Sequence, residues 1–468
     1  PGRSVIIIPH EGLIRHPSIA SLNPVRFLNL NFLPDICPQT IPLKPIYASI
    51  ITIGDELLIG QTIDTNSAYI GKELNQVGIW VKRRVAVGDL KEDIRNALDQ
   101  ESNYSDLIII TGGLGPTADD ITKPVLCEYF GGKMVVNEQV LLHIKYLFER
   151  VFNRPGPILE RNLRQAEVPD TCTVLFNERG SAPGMWFESK INPISKPKVF
   201  ISLPGVPHEM KGLMEKEVIP RLKEYFERPI ILHQTLLTAG TGESFIAEKI
   251  KDWEDKLPGH IKLAYLPHYG LVRLRLTTTG SDRNAMESEL ETLFAQLKEL
   301  VREWLVIDDD MTLPQAVAIM LKQRKQTVGT AESCTGGYIA HLLSRDPGSS
   351  SNFKGSIVSY DNQVKIDILG VSKETLDTEG AVSEKTVILM AIGGLERLKT
   401  DYLIVTSGIM GPDGGSENKP VGLVWIAVGN KDKIEAEKFN FRFDRARNIE
   451  MTANAALNKL RKFILTNS

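Results

Sequence analysis

The chain has 468 residues, 42% of them hydrophobic, and its 55 Lys and Arg nearly balance 58 Asp and Glu for a formal net charge of −3. That length exceeds one ordinary core and implies two or three domains, while the balanced charge and lack of a basic stripe argue against general nucleic-acid binding. Cys37, Cys127, Cys172 and Cys334 are scattered without a CxxC pair and no apolar run could span a bilayer, so a disulfide framework, a structural zinc site and a membrane protein are set aside and a cytoplasmic location is expected.

Residues 1–45 lack an initiating Met, carry several prolines and show no clear period; Val5–Ile8 is too short for a signal-peptide core. They are expected to form a loosely ordered extension, or to be translated from upstream of the true start. From Tyr47 short β-type runs alternate with amphipathic stretches. Tyr47–Ile53, Trp80–Val87 and Leu107–Thr111 read as strands, Asn66–Val77 and Lys91–Ser102 as helices. This rhythm predicts a parallel sheet covered on both faces over 46–225. Residues 226–306 change pattern, with a strand at His233–Ala239, two extended runs (Ile261–Leu266 and Leu271–Thr279) about a Pro-His-Tyr-Gly turn, and a helix over Asn284–Trp304. They predict a small α+β module, followed by a solvated linker at Asp308–Asp310. Residues 311–468 return to α/β, with strands at Thr327–Ala331, Gly355–Tyr360, Tyr402–Thr406 and Leu423–Val428 and a closing helix over Ala446–Phe463.

Ligands of such sheets sit at the carboxyl ends of strands. In the first domain three motifs fall there: Gly54-Asp55-Glu56, Thr111–Asp120 and Leu203–Met210. Thr111–Asp120 joins an apolar strand to Gly112, Gly113 and Gly115, a proline and two adjacent carboxylates. Glycines let backbone N–H groups approach a phosphate, and Asp119 and Asp120 offer hard oxygens suited to Mg²⁺ or Mn²⁺. The competing reading is a tight turn with an acidic helix N-cap.

In the last domain Ser333 lies where a strand turns into a helix, whose first N–H groups favour negative charge. Two readings stay open: Ser333 and Thr335 hold a phosphate, or Ser333 attacks a carbonyl while those N–H groups hold the oxyanion. No histidine lies near the strand ends of this domain, so a Ser-His-Asp triad is not expected. Lys365 and Tyr360 follow the next strand and could serve as base and proton relay; the competing reading, which spacing alone favours for Lys365, is a solvated Lys365 and a packing Tyr360. Cys334 could be the nucleophile or a small buried residue. Gly411–Gly415 could cradle a polar group, with Asp413 on a ribose, and an arginine of Arg442–Arg447 could pair with a phosphate.

Ile51–Leu58, Asn66, Thr111–Asp120 and Leu203–Met210 together resemble the N-terminal half of the competence/damage-inducible CinA family. Ala331–Gly337, Tyr360–Leu369, Gly380–Glu384 and Gly411–Gly422 resemble its C-terminal half, so the likeness runs from Tyr47 to Ile464. It implies two doubly wound three-layer α/β domains joined by a small α+β, KH-like module, which here lacks a basic GxxG clamp for RNA. The first domain would be of the MoaB/MogA type, a metal-dependent ADP-ribose pyrophosphatase. The last would convert nicotinamide mononucleotide to nicotinic acid mononucleotide and ammonia, without a cofactor, in pyridine-nucleotide salvage. By position Ser333 becomes the nucleophile with Tyr360 and Lys365 as its partners; Thr335, Gly336, Gly337, Asn362, Gly411, Asp413, Gly414 and Arg445 fall to the substrate. Gly54, Asn66, Gly112, Gly113, Gly115, Thr117, Pro204 and Gly205 fall to the first domain's nucleotide, and Asp55, Glu56, Asp119, Asp120 and Glu209 to a divalent metal. Small-molecule nucleotides, a homodimer, and neither nucleic acid nor membrane are the expected partners. The rival expectation is a non-catalytic nucleotide or molybdopterin-binding adaptor. The family's T-G-I-A-G-P is here Ser407–Pro412, in which Met410 replaces Ala and could narrow the pocket or alter substrate preference.

Overall fold

The computed structural model of the protein describes residues 44–152, 157–189 and 197–467. The extension expected over 1–45 lies almost wholly outside them.

The first domain contains β1 (Ile46–Ile53), β2 (Ile79–Val87), β3 (Leu107–Thr111), β4 (Met134–Val136), β5 (Glu167–Pro169), β6 (Thr173–Leu175), β7 (Gly184–Ser189) and β8 (Lys198–Leu203). Its main sheet runs β2-β1-β3-β8-β7-β6, and β4 pairs with β5 apart from it. Neighbours from β2 to β8 are parallel, whereas β7 is antiparallel to β8 and β6 to β7. The expected parallel sheet is therefore mixed. Only eight residues, 190–197, separate β7 from β8, too few for the crossover that a parallel pair needs. Successive residues of β1 and β3 enter different cores: Ile50 and Ile109 pack with Leu74 and Leu213, Ile51 and Ile110 with Leu98 and Leu126. Burial on both faces is what the near-continuous apolar runs foretell.

The central module, β9 (Ile230–Ala239), β10 (Ile261–His268), β11 (Leu271–Gly280) and β12 (Leu305–Ile307), forms an antiparallel sheet ordered β10-β11-β9-β12. The helix expected to reach Trp304 stops at Leu300, because the chain turns there to add β12 to the sheet. Leu237, Ala239 and Leu271 of the module share one apolar cluster with Leu313, Val317 and Leu457 of the last domain. Arg461 Nη1 donates to the Leu305 carbonyl across the same junction.

The last domain holds β13 (Val328–Glu332), β14 (Phe353–Val358), β15 (Tyr402–Gly408), β16 (Leu423–Gly429) and β17 (Ile434–Asn440), ordered β14-β13-β15-β16-β17. β14, β13 and β15 are parallel; β16 and β17 are antiparallel. Val328 and Ile404 face one core, Ala331 and Val405 the other. Glu332 is level with both Val358 and Thr406, so three loops leave side by side from one sheet end. No helix of the described residues is long and apolar enough to cross a membrane.

Candidate functional site

Ser333 follows β13, and its N–H donates to the Thr406 carbonyl at 2.9 Å. The residue is only 8% exposed, yet its hydroxyl carries no hydrogen bond to any described residue and is not among the fully enclosed orphan polar atoms. It is thus an unengaged hydroxyl with an outlet. Lys365 is brought to the same place by the neighbouring strand. The Ser359 N–H donates to the Glu332 carbonyl at 2.8 Å, and Lys365 Nζ donates to the carbonyls of Ser359 and Tyr360 at 2.8 and 3.3 Å. Lys365 is 1% exposed, which overturns the solvated reading of it. Burial pulls its ammonium below the ordinary lysine value, while Asp361 and the Cys334 sulfur work the other way. Cys334 is itself 6% exposed, and burial pushes its thiol up to about 12; a thiol held protonated is a poor nucleophile, so the structure favours Ser333 over its neighbour.

The helix after Ser333 differs from the expectation. It begins only at Tyr338, and its amides are already taken. Glu332, fully buried, accepts from the N–H groups of Gly337, Ile339 and Ala340 at 3.0, 3.1 and 2.8 Å, and from the hydroxyls of Thr330 and Thr335 at 3.0 and 2.7 Å. These N–H groups therefore cannot hold a phosphate or an oxyanion. Thr335, expected on the substrate, spends its hydroxyl on Glu332 and Thr406 and is buried. The amides of Cys334 and Thr335 have no acceptor among the described residues and stay available. Glu332 lies within the Ala331–Gly337 motif, which assigns it no role; its one signal is a carboxylate ending a fully buried strand.

Tyr360 also departs from expectation. Its carbonyl, not its hydroxyl, holds Lys365; the hydroxyl accepts from Arg445 Nη2 at 3.0 Å, and Arg445 Nη1 donates to the Gly411 carbonyl at 2.9 Å. Ser333, Lys365, Tyr360, Gly411 and Arg445 thus meet at one sheet end. Gly336 and Gly337 turn the chain beside them at φ 61° and 95°, with open space around Gly336. Asn362, Asp413 and Gly414 are exposed on adjoining segments, and their side chains join none of these bonds. Met410 is 3% exposed and belongs to the apolar cluster that includes Cys334 and Ile339. The Ser407 hydroxyl donates to the Ala381 carbonyl at 2.7 Å, which ties the Gly380–Glu384 segment to β15.

In the first domain β1, β3 and β8 end level with one another. Gly112 sits at φ 118°, where a Cβ would lie 2.3 Å from the Ile53 carbonyl oxygen, so only glycine permits the approach of these strand ends. Asn66 Nδ2 donates to Thr111 Oγ1 at 3.2 Å and to the Gly205 carbonyl at 2.8 Å, and Thr111 Oγ1 donates to the Pro204 carbonyl at 3.1 Å. Asn66 Oδ1 is buried without a partner, and the amides of Gly113 and Leu114 donate to no described residue. The amides of Gly115 and Thr117, by contrast, donate to Asp120 at 2.8 and 2.9 Å, as does the Thr117 hydroxyl. Asp120 closes its own loop and is neither helix cap nor free ligand; Ile121 occupies the N-cap.

Of the five carboxylates expected on a metal, Asp120 and Glu209 are engaged elsewhere, while Asp55, Glu56 and Asp119 lie near Asp89. Among the described residues no three His, Cys, Asp or Glu side chains are gathered so as to hold an ion. Glu209 reaches away over Gly180, where a Cβ would stand 2.0 Å from it, and accepts from Asn177 Nδ2 at 2.7 Å; burial pushes its carboxyl up. Asp55 pairs with Asp89, which motif reading missed, each carboxylate accepting the other's backbone N–H at 3.1 and 3.4 Å. Burial raises the Asp89 carboxyl, reinforced by the charges of Asp55, Glu56 and Asp119. Like charges this near resist closer packing without a cation. What stands is a partial donor set that phosphate oxygens would have to complete, as is common for Mg²⁺.

Three family models match the chain: "Probable molybdopterin binding domain" over residues 49–224, "Damage-inducible protein CinA KH domain" over 233–305 and "CinA C-terminal domain" over 310–464. A CinA-like protein of Flavobacterium psychrophilum is 46% identical over 421 residues, covering 90% of this chain and 99% of its own length. One from Cytophaga hutchinsonii is 44% identical over 417 residues, with 89% and 98% covered. Among solved structures, the competence/damage inducible protein CihA from Agrobacterium tumefaciens is 38% identical, covering 32% of this chain and 92% of that one at a TM-score of 0.32. With relatives matched from end to end at this identity, the chain belongs to the CinA family of competence/damage-inducible proteins.

Proposed function

We propose that the last domain hydrolyses the carboxamide of nicotinamide mononucleotide, giving nicotinic acid mononucleotide and ammonia. The observation that carries this reading is the unengaged Ser333 hydroxyl at a strand end where the buried Lys365 also arrives. Lys365, unprotonated, takes the Ser333 proton as Oγ attacks the carboxamide carbon. The oxyanion is received by the open amides of Cys334 and Thr335, the helix amides being engaged by Glu332. Lys365 passes its proton to the leaving nitrogen and ammonia departs. Water then attacks the acyl-serine, giving a proton to Lys365 that returns to Ser333 Oγ as the acid leaves. Arg445, held by Tyr360 and Gly411, keeps further N–H donors for the nucleotide phosphate. Ser333→Ala should lower ammonia release from nicotinamide mononucleotide by several orders of magnitude, judged from other serine nucleophiles; near-normal release refutes the assignment.

For the first domain, the open Gly113 and Leu114 amides and the unpartnered Asn66 Oδ1 favour a nucleotide at the strand ends. ADP-ribose pyrophosphatase activity would need a divalent ion held by Asp55 and Asp119 together with the substrate's phosphates; when bound it would polarise the pyrophosphate. A binding-only domain is the second reading, favoured by the dispersed carboxylates. Cleavage of ADP-ribose that chelator abolishes and Mg²⁺ restores separates the two.

A further inference from the structure

A cavity of about 800 Å³ lies between the first domain and the central module. Its walls are the helix Thr65–Gln76 from Ala68 onward, β2 between Trp80 and Arg84, residues 231–235 of β9 and Arg275 of β11. Lys72, Arg84, Arg275 and Arg283 all line it. Arg283 is paired with Glu287 at 2.8 Å, but Lys72, Arg84 and Arg275 have no ion-pair partner among the described residues. Asp308, Asp309 and Asp310 also line the cavity and offset part of this charge. Asp308 is engaged by Lys298 at 2.9 Å, Asp310 lies 3.5 Å from Arg273, and Asp309 accepts the Asp310 N–H. Three cations without a direct ion-pair partner around one cavity favour an anion there.

Two further features show a cavity shaped for an occupant. Arg275 Nε and Gln234 Oε1 are buried and make no hydrogen bond, although most such atoms find a partner. Gly71 stands mid-helix, where glycine costs about 1 kcal/mol relative to alanine. A Cβ there would lie 2.7 Å from an Arg84 guanidinium nitrogen, so the missing side chain is what lets Arg84 lie against the helix. Burial and the nearby Arg275 lower the His233 imidazole, opposed by Asp310.

We propose that this cavity binds a phosphorylated small molecule, its phosphate received by Arg84, Arg275 and Lys72. The volume suits a nucleotide-sized ligand, within the roughly 300–1,000 Å³ usual for such sites, and planar guanidinium forks match phosphate oxygens. The site is separate from both proposed reaction centres and does not depend on either.

Calorimetric titration of the full chain with inorganic pyrophosphate tests it. One binding event should weaken at least tenfold in Arg275→Gln and severalfold in Lys72→Glu, while persisting in Asn66→Ala, which perturbs the strand-end site instead. Lys72 is an exposed helix residue, so its variant reports even if Arg275→Gln misfolds. Isotherms for Lys72→Glu and a folded Arg275→Gln that superimpose on the parent, or loss of all pyrophosphate binding in Asn66→Ala, overturn the proposal.

Discussion

Glu332→Gln isolates what holds the turn that presents Ser333. The carboxylate receives five donors, two of them on Oε1 (Thr330 Oγ1 and Ala340 N–H) and three on Oε2 (Thr335 Oγ1, Gly337 N–H and Ile339 N–H). A glutamine keeps the shape but only one acceptor oxygen. Its better orientation places that oxygen at Oε2, so its NH₂ faces the Ala340 N–H. The Thr330 hydroxyl can turn away, having the Ser356 hydroxyl at 2.7 Å; the amide cannot. One buried unsatisfied donor costs about 1–3 kcal/mol, and removing a negative charge from a helix N-terminus adds about 0.3–1 kcal/mol. The sum, about 1.3–4 kcal/mol, is roughly 10- to 1,000-fold in a local opening equilibrium. Hydrogen exchange at the amides of Ile339 and Ala340 should accelerate by that factor, and ammonia release from nicotinamide mononucleotide should fall with it. Unchanged protection at both amides together with unchanged turnover would refute the capping argument.

Because burial depresses the Lys365 ammonium, kcat/KM should rise with pH through a limb lying below the ordinary lysine value of about 10.4. Lys365→Arg should cost at least roughly 10²-fold and abolish the limb; a flat profile from pH 6 to 10 contradicts the base assignment. Lys123 is 7% exposed, donates to the carbonyls of Gln165 and Glu167, and is lowered by burial from 10.5 to about 8. A depressed lysine destabilises the fold below its folded value, and that cost of about 3 kcal/mol fades as pH climbs from about 8 to about 10.5. The unfolding temperature should therefore rise across that window relative to Lys123→Met, and parallel curves would exclude the effect. Asn66→Ala removes two hydrogen bonds and an unpartnered acceptor at the first domain's strand ends. Its affinity for ADP-ribose, measured by titration, should drop about tenfold or more; equal affinity would move the ligand elsewhere.

The linear chain determined the architecture and marked the loops in which the candidate residues lie. Apolar runs too continuous for one-faced strands announced sheets covered on both sides, and glycines at their ends marked the loops that meet there. Ser333, Tyr360, Lys365, Gly411 and Arg445 were all legible as candidates and do converge. Tertiary structure decided what each group is free to do. Whether Lys365 is solvated or buried depends on the packing around the last domain's sheet end, and Tyr360 meets an arginine 85 residues away. Glu332 takes the helix amides that sequence assigned to a ligand, and Asp120 and Glu209 turn to Thr117 and Asn177 where a metal was expected. A motif records which donors and acceptors are present, whereas hydrogen-bond saturation and burial depend on partners brought from distant strands. The cavity between Arg84 and Arg275 has the same origin: its two halves belong to different domains, and only their docking brings these cations around one space.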